Sequence, residues 1–172
     1  MRRMARAVAG GLGAAWLALA PTGAQAGGLE GFIGNWVRTE RERDDAARDA
    51  MIERVTEPMS FAFRGFARGV MHKRMVPVEH YVVEQIAGTT RIRNDRGQEF
   101  PLDGRAHTTE KDREVTSRIS ESGEIEQVWK EGSDSHGVTT WRIDGGRLVV
   151  SQHVIDSHFE APLEYSTTYR RE

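Results

Sequence analysis

The chain has 172 residues, with 24 basic and 26 acidic side chains and a formal net charge of −2 at pH 7. This slightly acidic balance argues against nucleic acid as the main partner, because phosphate binding needs a concentrated basic face. Cysteine is absent, which excludes disulfides, thiolate chemistry and lipid attachment through an N-terminal cysteine.

The first 26 residues have the layout of a secretory signal peptide. A basic start precedes an apolar run over residues 7–20, and Ala24-Gln25-Ala26 is an A-x-A cleavage pattern. The apolar run is short for a membrane span, which needs roughly 20 residues. We therefore expect cleavage near Ala26, a periplasmic or secreted location, no transmembrane segment in the mature chain, and a single domain over residues 27–172.

The first element of that domain is predicted to be a strand. Gly34-Asn35-Trp36 lies in the apolar run 31–37, and residues 32–38 alternate weakly in polarity. Residues 39–45 form a charge run, which we expect to be a solvated connection.

The hydrophobic period then changes, and residues of about 45–76 are predicted to form a helical hairpin. Ala47, Ala50, Met51 and Val55 fall near helical spacing. Asp44 and Asp45 can cap this first helix, and Pro58 ends it. Ser60 can cap the second helix, which Pro77 ends.

The second helix has an apolar face with Phe63, Phe66, Val70 and Met71. We expect its cationic side chains to stay mostly outside; these are Arg64, Arg68, Lys73 and Arg74. Gly65 and Gly69 are four residues apart, and glycine costs roughly 1 kcal/mol relative to alanine inside a helix. The pair therefore predicts that another element approaches the helix closely there.

From Glu79 onward the pattern is of short strands separated by turns. Residues on alternate positions are predicted to share a face, as Gln127 does with Trp129, and Thr139 with Trp141. Asp144-Gly145-Gly146 is the clearest hairpin turn. Eight or nine short strands at nearly regular spacing predict a mainly β fold, an antiparallel up-and-down barrel with the helical hairpin inserted after the first strand. We favour a barrel over a sandwich because closure removes exposed sheet edges.

Gly34-Asn35-Trp36 resembles the G-x-W signature of the lipocalin and calycin superfamily. The resemblance implies that the Trp closes one end of the barrel and that an Arg of the last strand packs across its ring. The chain ends in Tyr165-Ser166-Thr167-Thr168-Tyr169-Arg170-Arg171, so Arg170 or Arg171 is the expected partner. The whole mature chain looks like bacterial secreted lipocalin-like proteins of unassigned function. Helices placed after the first strand are similar to those of fatty-acid-binding proteins.

No catalytic motif stands out. The six histidines form no H-x-H or H-E-x-x-H spacing, and no G-x-S-x-G motif occurs. We therefore predict no metal and no cofactor, and we favour a binding protein over an enzyme. An enzyme on a calycin-like barrel remains a third hypothesis. Its candidate residues by strand position are Gln127, Arg142, Gln152 and His153, whose facing the sequence does not determine.

The leading hypothesis is a carrier of a small apolar or amphipathic ligand. It places Phe63, Phe66, Val70 and Met71 at a ligand portal, and Gly34, Trp36 and Arg170 at the closed end of the barrel. Arg64 or Arg68 near the mouth can pair with a ligand carboxylate. The alternative is an envelope interaction or structural protein, which predicts a packed interior and an exposed apolar patch on the hairpin.

Overall fold

The computed structural model describes residues 28–109 and 113–172; the predicted signal peptide lies outside the described residues. A short 3-10 turn at Leu29–Gly31 precedes β1 (Gly34–Arg38), and α1 (Arg41–Thr56) and α2 (Phe61–Arg74) follow it. The remaining strands are β2 (His80–Ile86), β3 (Thr89–Asn94), β4 (Glu99–Pro101), β5 (Ala106–Thr108), β6 (Arg113–Ile119), β7 (Ile125–Glu131), β8 (Ser135–Asp144), β9 (Arg147–Asp156) and β10 (Leu163–Arg171).

All ten strands belong to one antiparallel sheet, in the order β4-β3-β2-β1-β10-β9-β8-β7-β6-β5. The sheet curls so that the chain between its two edge strands reaches both sides. Leu102 N donates to Thr90 O of β3 at 2.8 Å, and Gly104 N donates to Ser117 O of β6 at 3.0 Å. The predicted mainly β, antiparallel barrel with a helical hairpin after the first strand is confirmed.

The strand count is ten rather than eight or nine. Residues 98–102, which include β4, are predicted as a short strand, so the strand that the sequence hides is β5, which has three residues. A segment of that length carries too few alternations to give a signal of period two. β5 lies within the polar stretch 105–112, where no strand was expected.

Alternation along each strand separates the interior from the surface. In β7, Ile125, Gln127 and Trp129 are buried whereas Val128 is exposed. The predicted facing of these residues is therefore confirmed. The turn at Asp144-Gly145-Gly146 also forms as predicted, because Asp144 pairs with Arg147 across β8 and β9 and both glycines adopt positive φ.

An aromatic cluster fills one end of the barrel. Trp36, Tyr81, Trp141 and Tyr169 are all buried there, and the ring of Tyr81 meets those of Trp141 and Tyr169 edge-on at centroid distances of 6.2 Å and 5.1 Å. The indole of Trp36 donates to Phe32 O at 2.7 Å. Trp36, Trp141 and Tyr169 are among the largest fully buried side chains of the described residues.

A second core lies where the hairpin packs against the last strand. Met51, Ile52 and Val55 of α1 and Met71 of α2 pack with Leu163 and Tyr165 of β10.

The predicted solvated connection over 39–45 is wrong from Arg41 onward, because α1 begins at that residue. The cause is tertiary: the buried carboxylate of Asp44 accepts a hydrogen bond from Thr168 N at 2.7 Å, which binds the first turn of the helix to β10.

Two glycines give a matched test of packing. At Gly137, a Cβ would lie 2.6 Å from His153 O and 2.8 Å from Cζ2 of Trp129, so we expect Gly137→Ala to lower the free energy of unfolding by roughly 1–3 kcal/mol. At Gly65 of α2, a Cβ would meet nothing within 4 Å, so Gly65→Ala should raise the free energy of unfolding by about 0.5–1 kcal/mol. Urea denaturation midpoints measure both changes. Equal effects of the two substitutions would contradict the packing described here.

Candidate ligand-binding site

The closed end of the barrel is held by Trp36 and the last strand. The guanidinium of Arg171 lies 4.8 Å from the centroid of the Trp36 ring, and its Nη2 donates to Gly31 O at 2.6 Å. Of the two arginines considered, Arg171 and not Arg170 takes this place. The register explains it: Trp36 is opposite Arg171 and shares its face, whereas Arg170 is opposite Val37 on the other face.

Gly34 begins β1 beside that arginine. Its φ is +142°, and a Cβ there would lie 3.5 Å from Nε of Arg171. The space is sufficient for a methyl group, so the backbone conformation is what favours glycine at this position.

A row of polar side chains crosses the inner wall of the barrel on five neighbouring strands. The cross-strand partners run from Ser117 to Gln127, then to Thr139, Gln152 and Tyr165. Ser117, Gln127, Thr139 and Tyr165 are buried. Gln127 Nε2 donates to Ser117 Oγ at 3.1 Å. We refer to these five residues as the polar row.

Mostly apolar rows lie on both sides of the polar row. Towards the hairpin the partners are Val115, Trp129, Gly137, Val154 and Leu163. Towards the closed end they are Ile125, Trp141, Val150 and Thr167. An inner wall of apolar side chains with a few placed polar groups is typical of small-molecule sites.

Among the described residues, the indole N–H of Trp141 is the only one that is fully buried and has no hydrogen-bond partner. Its side chain is 2 % exposed, and it follows Thr139 of the polar row on the same face of β8. A buried donor without an acceptor costs about 1–3 kcal/mol. The wall therefore contains an uncharged donor that an acceptor atom would satisfy.

Burial keeps three tyrosines of the inner wall uncharged. Burial raises the pKa of Tyr165 to about 12, and burial likewise raises the pKa of Tyr81 and Tyr169 above the ordinary value. All three phenols stay neutral at physiological pH. Burial by itself lowers the pKa of Arg38, but its hydrogen bonds to Asp45 and Glu79 outweigh that effect and raise the pKa.

The hairpin places its predicted portal residues on two different sides. Met71 is buried against α1 and β10 and Val70 is partly buried, whereas Phe63 and Phe66 are 69 % and 73 % exposed.

The predicted outward position of Arg64 and Arg68 is wrong. Both turn towards the interhelical side, where they bind the C-terminal end of α1 and the loop after it.

Hydrogen bonds explain that orientation of α2. Arg64 Nη2 donates to Glu57 O at 2.6 Å and to Met59 O at 3.1 Å. Arg68 Nε donates to Thr56 Oγ1 at 3.1 Å, and the same guanidinium pairs with Glu53. These bonds use Nη2 of Arg64 and Nε and Nη2 of Arg68, which the sequence offered to a ligand carboxylate. The close approach predicted at Gly65 and Gly69 is also absent, since a Cβ at either position would meet nothing within 4 Å.

Two open grooves lie on the outside of the barrel. The larger, of about 460 Å³, lies over β8, β9 and β10, and the smaller, of about 350 Å³, lies beside Arg118 and Glu126. In the larger, His153 Nδ1 is 2.7 Å from Glu164 Oε1, and Ser151 Oγ is 2.9 Å from Ser166 Oγ.

The four residues considered for catalysis do not converge. Gln127 and Gln152 belong to the polar row, whereas Arg142 and His153 are exposed on the outer face. Among the described residues, no three His, Asp or Glu side chains come together as metal ligands do. Sequence reasoning did not single out Ser117 and Trp141 as site residues. Strand alternation indicates their side, but only the register brings them next to Gln127 and Thr139.

Neither a family model nor a curated protein sequence matches this chain. Among solved structures, the chain is similar to a secretory abundant heat soluble protein from Ramazzottius varieornatus, with a TM-score of 0.54, 12 % identity, and coverage of 83 % of this chain and 96 % of that one. Lipid binding protein 8 of Caenorhabditis elegans, in its apo form, gives a TM-score of 0.48, 10 % identity and the same coverage of 83 % and 96 %. The first likeness supports the β-barrel fold and, at that identity, the fold alone.

The helices of the described residues were also compared with the requirements of a membrane span. None combines the length and the apolar character that crossing a bilayer demands.

The two C-terminal arginines provide a paired test of the closed end. Arg171→Ala removes the cation over the Trp36 ring and should lower the free energy of unfolding by about 1 kcal/mol. Arg170→Ala removes an exposed side chain and should change it by less than about 0.5 kcal/mol. Thermal unfolding followed by near-UV circular dichroism measures the change in stability of both variants. A larger loss in the Arg170 variant would assign the stacking to the other arginine.

Proposed function

We propose that the protein binds a small apolar or amphipathic molecule inside the barrel. One observation carries the proposal: the polar row, with the unpartnered indole of Trp141 beside it, lies between apolar rows on the inner wall. In a fully packed protein interior, buried donors are normally paired with an acceptor, because an unpaired donor is destabilising. A ligand with an acceptor atom next to Trp141 would accept a hydrogen bond from the indole N–H and remove the free-energy cost of leaving it unpaired.

The chemistry of the wall favours an uncharged polar group on the ligand. Trp141 and the polar row offer an indole N–H, amides and hydroxyls, and Arg38 is already paired with Asp45 and Glu79. A carboxylate buried without a cation is strongly disfavoured. We therefore propose that the ligand carries a carbonyl or ester oxygen on an apolar body.

Access to the interior lies at the hairpin in this proposal. The aromatic cluster fills the opposite end, whereas the hairpin covers the barrel through Met51, Met71 and Met75. Methionine repacks easily around different partners. Uptake then requires the hairpin to move, with Met71 on its inner side and Phe63 and Phe66 at its outer rim.

The place of action is also a proposal. Residues 1–26 have the pattern of a secretory signal, and residues 27–172 would then act as one domain in the periplasm or outside the cell. N-terminal sequencing of the protein recovered from a periplasmic extract tests it, since the signal hypothesis requires a start near Gly27.

A second candidate function, that of an interaction protein, has one observation in its favour. Phe61, Phe63 and Phe66 are exposed large apolar side chains on a single helix, as an interaction surface on the hairpin requires. A barrel that takes up no ligand while this surface binds a partner would decide for the second candidate.

Ligand uptake tests the first candidate. Native mass spectra of the protein from a gentle periplasmic extract, beside denatured spectra, should show extra non-covalent mass. After removal of that material, titration with a long-chain methyl ketone should quench tryptophan fluorescence at lower concentration than the fatty acid of equal length does. Absence of uptake of both compounds, with no co-purified mass, would sink the proposal.

Two tryptophan variants separate binding from stability. Trp141→Phe keeps an aromatic ring but removes the unpartnered N–H, so we expect the ketone to bind roughly fivefold more weakly. Trp36→Phe removes an N–H that already donates to Phe32 O, so it should lower thermal stability and leave the affinity unchanged. Unchanged affinity in the Trp141 variant would show that its indole does not contact the ligand.

A further inference from the structure

The second helix, α2, turns its apolar face away from the protein. Its inner side is made by Met71 and Met75, with Arg64 and Arg68 bonded to the end of α1. Its outer side carries Phe63 and Phe66, three residues apart, and Phe61 at the first position is 92 % exposed. A surface helix ordinarily buries its apolar stripe. Here the arginine bonds hold the reverse orientation.

The charge on this helix has one sign. The sequence FAFRGFARGVMHKR contains three arginines and one lysine and no acidic residue, although the whole chain is slightly acidic. Lys73 and Arg74 are exposed in its last turn, close to the outer aromatic face by helical spacing. Gly65 and Gly69 have open space around them, so no element of the residues that the structure describes packs against the helix there.

We propose that the outer face of α2 docks on an anionic membrane surface. Phe63 and Phe66 enter the boundary between headgroups and acyl chains, and Lys73 and Arg74 meet the anionic headgroups. Exposed aromatic side chains beside cations, without acids, are what an interfacial helix requires. The first helical residue, Phe61, projects from the same end of the hairpin and adds a third apolar contact.

The charge of the face selects lipid over a protein partner. A polar rim of mixed sign is expected around a protein interface, but the cations of α2 have no acidic counterpart on the helix itself. The acidic side chains that contact this helix, Glu53 and Asp49, meet Arg68 and His72 on the side facing α1, and Glu57 lies in the turn that joins the two helices. This inference does not depend on whether the barrel holds a ligand.

Vesicle binding of the full chain, as processed by the expressing cell, tests the proposal. We expect co-sedimentation with vesicles of phosphatidylcholine containing about one-third phosphatidylglycerol, and weak or no co-sedimentation with phosphatidylcholine alone. Raising the salt concentration should release the protein, because exposed charges are screened. Equal binding to both vesicle types, or binding to neither, would overturn the proposal.

Surface variants locate the contact. The double variant Phe63→Ser, Phe66→Ser should lose vesicle binding by at least about tenfold, and Lys73→Gln, Arg74→Gln should weaken it by roughly fivefold for each charge removed. The matched control is Val128→Ser, Ile155→Ser, which removes two exposed apolar side chains from the outer face of β7 and β9. The proposal requires wild-type binding from this control and wild-type thermal unfolding from all three double variants.

Two other occupants of the face have distinct outcomes. Self-association through the phenylalanines would appear in sedimentation equilibrium as a dimer that the serine variant abolishes, without vesicle binding. A protein partner would be retained by the wild type and not by the serine variant, again without vesicle binding. Either result overturns the membrane proposal and leaves the ketone titration of the barrel as a separate question.

Discussion

The pairing of β1 with β10 is the contact on which the rest of the structure depends. It joins the first strand to the last, so that the sheet order continues from β2 through β1 to β10 and on to β9. Trp36 opposite Arg171 sets the register at the closed end. The same pairing places Thr168 next to the start of α1, where Asp44 accepts its N–H. The hairpin therefore covers the barrel because β10 fixes its first turn.

The polar row on the inner wall is formed by the cross-strand register, because none of its residues belongs to a motif in the sequence. Ser117, Gln127, Thr139 and Gln152 are separated by ten or more residues in sequence, yet they are successive cross-strand partners. Each sits on the inward side for the ordinary reason of strand alternation. Together with Trp141 they give the apolar interior a directional hydrogen-bonding capacity, which an aliphatic core lacks.

The orientation of α2 decides which of its side chains pack against α1 and which are exposed to solvent. Arg64 and Arg68 satisfy main-chain and side-chain acceptors at the end of α1, and this turns Phe63 and Phe66 outward. An arginine can take such an inner position because its long apolar stem packs while its head finds hydrogen bonds. The proposed ligand binding and the proposed membrane docking fit one scheme, in which the element that covers the barrel would also contact the lipid.

The sequence by itself determined the class of fold and the hairpin after the first strand, because periodicity and turn chemistry are local properties. The resemblance of Gly34-Asn35-Trp36 to the G-x-W signature pointed to Trp36. The sequence also placed Gln127 on one face with Trp129, and Thr139 on one face with Trp141, without determining which face points inward. Only the tertiary structure decided that Arg171 rather than Arg170 covers Trp36, that α1 starts at Arg41, and that α2 faces outward. Those outcomes depend on cross-strand register and on acceptors distant in sequence, and no local pattern contains that information.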